Sequence, residues 1–114
     1  MQSDKRKNFR YESQANARIE GLDCGETLLK DLSIIGCCLS SARKADVKSS
    51  GRYEIEITPE EASGIGNFTL IAESVWTHTA ENSMEFGFAI RESPKGKEFQ
   101  RYVDYLAWRS EARA

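Results

Sequence analysis

A small antiparallel β-barrel closed by a C-terminal helix is the fold this sequence predicts, and three observations carry it. Apolar residues alternate with polar ones through most of the chain. Clusters of Gly, Ser, Asn and Asp break that alternation at short intervals. Near residue 93 the apolar period changes from that of a strand to that of a helix.

Residues 1–14 have no convincing apolar pattern and read as a mobile arm. Ala15, Ala17 and Ile19 then alternate weakly with Asn16, Arg18 and Glu20, and a turn follows from Gly21 to Gly25. Leu28–Leu32 and Ile35–Leu39 are the next two strands. After Ser49-Ser50-Gly51, Tyr53, Ile55 and Ile57 alternate with Arg52, Glu54, Glu56 and Thr58, the mark of a half-buried strand. The run Phe68–Thr77 is apolar on both faces in places, which predicts a central position in the sheet. Beyond Glu81-Asn82-Ser83, Met84, Phe86, Phe88 and Ile90 alternate with Glu85, Gly87 and Ala89.

Six short antiparallel strands in about 75 residues favour a closed barrel, because closure removes exposed edges. Ser93-Pro94 then supplies a cap and a first-turn proline for a helix over 93–112. Phe99, Tyr102, Val103 and Leu106 follow i, i+3, i+4, i+7 spacing and form its buried face. Trp108 lies about 180° from Phe99 on that helix, and Tyr105 lies between. Trp108 therefore either curls over the barrel rim or marks a contact surface for a protein partner or a second copy. The organisation expected is an arm over 1–14, a barrel over 15–92 and the helix, making one domain.

The bulk numbers are those of one globular domain: 114 residues, 39% apolar and 30% charged, with only two prolines. No stretch approaches the roughly 20 apolar residues of a membrane span, and the polar start lacks the apolar centre of a secretory signal. A cytoplasmic protein is expected. The three cysteines make a poor disulfide or zinc framework, and adjacent Cys37 and Cys38 read as strand neighbours, one buried and one not. A net charge of −2 argues against nucleic-acid binding by the whole surface.

An enzyme reading has little support. His78 is the only histidine, and nothing beside it in sequence is a partner for a general base. Glu60 and Glu61, beside Pro59, read as a solvated charge pair in a polar loop. No nucleophile elbow, phosphate loop or metalloprotease motif occurs. No catalysis, cofactor or metal is expected.

Two motifs do carry chemistry. Residues 1–10 hold Lys5, Arg6, Lys7 and Arg10 against Asp4 alone, and Arg6 and Arg10 are spaced R-x-x-x-R. A guanidinium is a planar fork of donors suited to phosphate oxygens or to the O6/N7 edge of guanine. Further on stands Asp31-Leu32-Ser33-Ile34-Ile35-Gly36. The Asp31 carboxylate is an acceptor suited to the N1 and N2 donors of guanine. Ser33 supplies a short hydroxyl, and Gly36 allows a backbone geometry that a Cβ would hinder.

R-x-x-x-R in an arm followed by D-x-S-x-x-G on a strand resembles the PilZ domain, a bacterial receptor family for cyclic di-GMP. Val75-Trp76 and Gly87-Phe88 add to the likeness, which extends over residues 5–106. The resemblance implies a six-stranded barrel with a C-terminal helix, and an arm that folds over ligand held on the barrel's outer surface. It implies that Arg6 and Arg10 hold phosphate and guanine, that Asp31 reads a guanine edge, and that Ser33 and Gly36 shape the surface beneath. It further implies two stacked ligands per chain, because a basic residue, Lys5, directly precedes the first motif arginine. With only this domain in the chain, output is expected to pass through a protein partner. Two rival readings are a PilZ-like adaptor that acts by protein contact without nucleotide, and an oligonucleotide-binding barrel.

Overall fold

Alternation does build strands here. The computed structural model describes residues 9–93 and 96–113. The strands are β1 (Tyr11–Glu12), β2 (Asn16–Ile19), β3 (Thr27–Leu32), β4 (Gly36–Ser41), β5 (Arg52–Thr58), β6 (Phe68–Thr79) and β7 (Met84–Glu92). One helix, α1 (Gly96–Arg113), follows them, and a short 3-10 turn (Glu61–Ser63) precedes β6. Among the described residues no helix is long and apolar enough to cross a membrane.

The sheet runs β3-β2-β5-β6-β7-β4, every pair antiparallel, and β4 pairs back onto β3 to close a six-stranded barrel. Strand β1 extends the β2 edge. Tyr11 and Glu12 face Leu32 and Asp31, while Asn16 and Ala17 face Leu28 and Thr27. Two bonds bridge the gap, from Ser13 N–H to Lys30 O and from Leu29 N–H to Ala15 O, both 2.9 Å. Ordered strand thus begins four residues before the expected one, inside the segment read as an arm. Residues 1–8 of that segment lie outside the described residues.

Inward positions fill the barrel with Ile19, Leu29, Leu32, Leu39, Ile55, Ile57, Phe68, Leu70, Phe86 and Phe88. Burying one such side chain is worth about 1.5–3 kcal/mol. The predicted helix face closes one end: Tyr102, Val103 and Leu106 are buried, and the Tyr102 and Phe99 rings lie 5.8 and 5.9 Å from that of Phe68. Trp108 is not folded onto the rim. It is 63% exposed and tilts against Tyr105 at 6.1 Å.

Three local readings need correction. Ile35 is not the first residue of its strand but part of the turn before it, and is exposed. Cys37 and Cys38 are both buried. Cys37 points into the core, where burial pushes its thiol up to about 12. Cys38 faces outward but sits among Asp31, Glu85 and Lys30, with its thiol also raised, chiefly by burial. Glu60 is not solvated. Its carboxylate accepts from the Tyr102 hydroxyl and, at 2.6 Å, from Arg109 Nη1, in a pair with side chains 14% and 12% exposed.

This cluster ties α1 to the start of the barrel. The Tyr102 and Ser13 hydroxyls are 2.7 Å apart, Ser13 Oγ accepts from Ala15 N–H, and Arg109 Nη2 donates to the Glu12 carbonyl. Burial first, then the bond to Glu60, raises the Tyr102 pKa above its usual value near 10. A raised folded-state pKa means stability fully present below pH 10 and lost as the phenol ionises at higher pH. Tyr102→Phe leaves buried acceptors unpaired and should cost about 1–3 kcal/mol in urea unfolding at neutral pH. The loss should shrink above pH 10, where the wild type alone weakens. Equal stability of the two proteins at pH 7 would mean that the cluster does not hold the helix.

Candidate functional site

The site is assembled at two of the register shifts in the sheet. In β3 the register shifts between Leu29 and Asp31. Leu29 and Leu32 both point inward, so Lys30 and Asp31 are left on the outer side. In β6 it shifts between Ser74 and Trp76, and Val75 and Trp76 are both exposed, at 60% and 44%. A bulge inserts one residue and re-aims its neighbours, which is how successive residues come to share one face.

Register then sets Asp31, Cys38, Gly87 and Trp76 in one row across β3, β4, β7 and β6. Arg10, just before β1, reaches into this face, and its Nη1 lies 2.8 Å from Asp31 Oδ1. Both partners remain accessible, their side chains 46% and 30% exposed. Gly36 lies beneath the guanidinium. A Cβ there would come within 3.1 Å of Arg10 Nη2 and 3.0 Å of the Phe88 carbonyl oxygen. Gly36 is thus needed for close approach, where a Cβ would hinder both neighbours.

Ser33 is 1% exposed, and its hydroxyl is engaged within the turn. The Ile35 and Gly36 amides donate to Ser33 Oγ at 3.2 and 3.1 Å, and the Ser33 amide donates to the Gly36 carbonyl. The hydroxyl fixes the loop that delivers Gly36 to β4. Lys30 stands near Asp31 and pairs with Glu85 at 2.6 Å, a bond that raises its pKa.

Arg10, Asp31, Ser33 and Gly36 are therefore brought together. Arg6 and Lys5 lie outside the described residues. The structure adds two residues whose role sequence reasoning had left unassigned, Trp76 and Gly87. A Cβ on Gly87 would lie 2.1 Å from Trp76 Nε1 and 2.3 Å from Cε2, so the indole rests directly on this glycine. Both left signals in the sequence: Val-Trp breaks the alternation of β6, and a glycine inside an alternating strand marks close approach. Arg10, Ile35, Gly36, Val75, Trp76, Gly87 and Ala89 line a shallow depression of about 210 Å³. Donors, one carboxylate and an exposed indole meet at one surface. That set suits a planar, anionic, hydrogen-bonding ligand. Among the described residues no three His, Cys, Asp or Glu side chains converge as metal ligands.

Comparison with known proteins agrees with this architecture. No curated protein matches the chain. Among solved structures it is similar to the Bacillus subtilis inhibitor of motility MotI/DgrA, with a TM-score of 0.73 at 16% identity. The match covers 92% of this chain and 50% of that one, so this chain spans half the other's length. At that identity the likeness shows the fold. The PilZ domain model matches residues 4–108, and so the chain belongs to the PilZ domain family, a family of cyclic di-GMP-binding domains that are generally not enzymes.

Proposed function

We propose that this chain is a non-catalytic cyclic di-GMP receptor of a bacterial cytoplasm that signals through a protein partner. The observation that carries the reading is the Arg10–Asp31 pair, lying over Gly36 and beside the exposed indole of Trp76. Arg10, together with Arg6, takes phosphate or the O6/N7 edge of guanine; Asp31 accepts from N1 and N2; Trp76 offers a stacking face. Both members of the ion pair are well exposed, and such a pair is worth only about 0.2–1 kcal/mol. Exchanging it for ligand contacts therefore costs little. Backbone pairing holds both groups in position, and ligand replaces each partner with a better one.

Calorimetric titration with cyclic di-GMP, against GTP and cyclic di-AMP, tests this directly. Arg10→Ala and Arg6→Ala should each weaken binding by roughly ten- to a hundredfold, the worth of about one charge-assisted bond. Arg10→Lys should restore only part of it, since the planar fork is lost. Asp31→Asn should erode the preference over cyclic di-AMP more than it erodes affinity. Wild-type affinity in both arginine variants would reject the site.

Stoichiometry is a separate matter. Lys5 precedes Arg6, and its charge would offset that of a second dinucleotide, so saturation is expected at two ligands per chain. Lys5→Leu should then lower the ratio to one. A wild-type curve that saturates at one ligand refutes the pair.

Output is assigned to the outer face of α1, where the exposed Trp108 stands as an aromatic anchor against the half-buried Tyr105 ring. Trp108→Ala should abolish partner capture while cyclic di-GMP affinity and Tm stay near wild type. A large fall in Tm would place Trp108 in the fold and remove this face from consideration.

A further inference from the structure

Arg10 stands on a segment that has little of its own to hold it. Strand β1 is two residues long, and the Phe9 and Arg10 side chains before it are exposed. Strand β3 secures the segment through Tyr11↔Leu32 and Glu12↔Asp31. Between the segment and the end of α1 lies a cleft of about 310 Å³, bordered by Phe9, Tyr11 and Glu12 and by Leu106, Arg109 and Ser110. Among the described residues one hydrogen bond runs from the helix to this segment, from Arg109 Nη2 to the Glu12 carbonyl.

Arg109 is itself held in place. Its side chain is 12% exposed, and Nη1 meets the Glu60 carboxylate at 2.6 Å. Glu60 accepts in turn from the Tyr102 hydroxyl. The guanidinium is thus a buried planar fork, with one prong on a fixed carboxylate and the other on the backbone of Glu12. Glu12 is the residue paired with Asp31, and it lies two positions after Arg10. A shift of Glu12 therefore carries the Arg10 guanidinium away from its place over Gly36 and beside Asp31.

We infer that Arg109 is a positioning residue of the ligand site: by holding Glu12 it fixes Arg10, without itself touching ligand. The inference rests on the receptor reading above. Both prongs of Arg109 are engaged within the fold, so its effect on ligand is one of geometry. Once the bond to Glu12 is lost, the cleft leaves the segment room to move towards the helix. A ligand that must meet Arg10 and Asp31 together is sensitive to such a displacement.

A double-mutant cycle tests it, read by calorimetric titration with cyclic di-GMP well below the Tm of each protein. Arg109→Lys keeps the charge beside Glu60 and loses the planar fork that spans both acceptors. It should weaken binding roughly three- to thirtyfold, the range of couplings between residues that share a network. In the Arg10→Ala background it should change affinity by less than about twofold, because the group it positions is gone. A side chain that only supported the fold, or lent its charge to ligand, would weaken both backgrounds alike. Wild-type affinity in Arg109→Lys, or an equal loss in the two backgrounds, overturns the inference and leaves the receptor reading standing. A wild-type chain that takes up no cyclic di-GMP overturns both. Coupling is reciprocal, so a second measurement needs no helix variant. Saturating cyclic di-GMP should slow amide exchange over residues 107–110 in the wild type and not in Arg10→Ala. Unchanged exchange there in the wild type, or equal slowing in both proteins, overturns the inference even if Arg109→Lys fails to fold.

Discussion

Strand β3 is hydrogen-bonded along both of its edges, and the barrel and the site both follow from that. Its pairing with β4 on one side and with β1 and β2 on the other closes the sheet. Because both edges are taken, the extra residue at the Leu29/Asp31 shift cannot be absorbed by sliding either neighbour. It is absorbed by turning Asp31 outward while Leu32 stays in the core. The same pairing fixes where Arg10 emerges, one residue before Tyr11 docks against Leu32. An accessible salt bridge contributes little energy of its own. The Arg10–Asp31 geometry is imposed by backbone pairing on either side of it, and the ion pair records that geometry.

The polar cluster under α1 acts on the same junction from below. Arg109 bonds the Glu12 carbonyl, two residues after Arg10, and also the buried side of Glu60. Tyr102 joins Ser13 to the same carboxylate. Desolvation makes the net worth of such a pair modest, while removing one partner strands the other. Its consequence is therefore specificity of placement. The helix, the Pro59-Glu60 loop and the start of the barrel are held in one arrangement, with Trp108 on the far side of the helix from the core.

The fold was legible because period is a coarse signal repeated many times. Ile55 and Ile57, or Phe86 and Phe88, each state which face is inward, and the helix stripe from Phe99 to Leu106 does the same with a different period. What escaped was local and unrepeated. Strand β1 is two residues long and has no period to detect. Glu60 looked solvated because its partners, Tyr102 and Arg109, are 42 and 49 residues away. Cys38 obeys the alternation and faces outward, yet is covered by neighbours that only the register brings near. Phe68–Thr77 read as a central strand, and it is one only as far as Glu73; the end of β5 decides the rest. At the site, the motif residues could be chosen from their chemistry. Trp76 and Gly87 become a pair only when β6 is laid beside β7, although each had broken a pattern in its own strand.

The D-x-S-x-x-G motif itself divides into chemistry and geometry. Of its three named residues, Asp31 alone offers a polar side chain to the outside. The Ser33 hydroxyl is engaged within the turn, where it meets two backbone amides and the Gly36 carbonyl. Gly36 contributes the absence of a side chain, and the Arg10 guanidinium occupies that space. The consequence is a difference in what substitution does. Loss of the Asp31 carboxylate removes an acceptor and leaves the surface in shape. A methyl group at Gly36 meets the Phe88 carbonyl on one side and Arg10 on the other, so it displaces a cation while removing no polar group. Gly87 stands in the same relation to Trp76, with less room still. Two glycines thus set the height of the two side chains that flank the depression, Arg10 and Trp76. On an open surface, height is what decides whether a flat ligand reaches both at once.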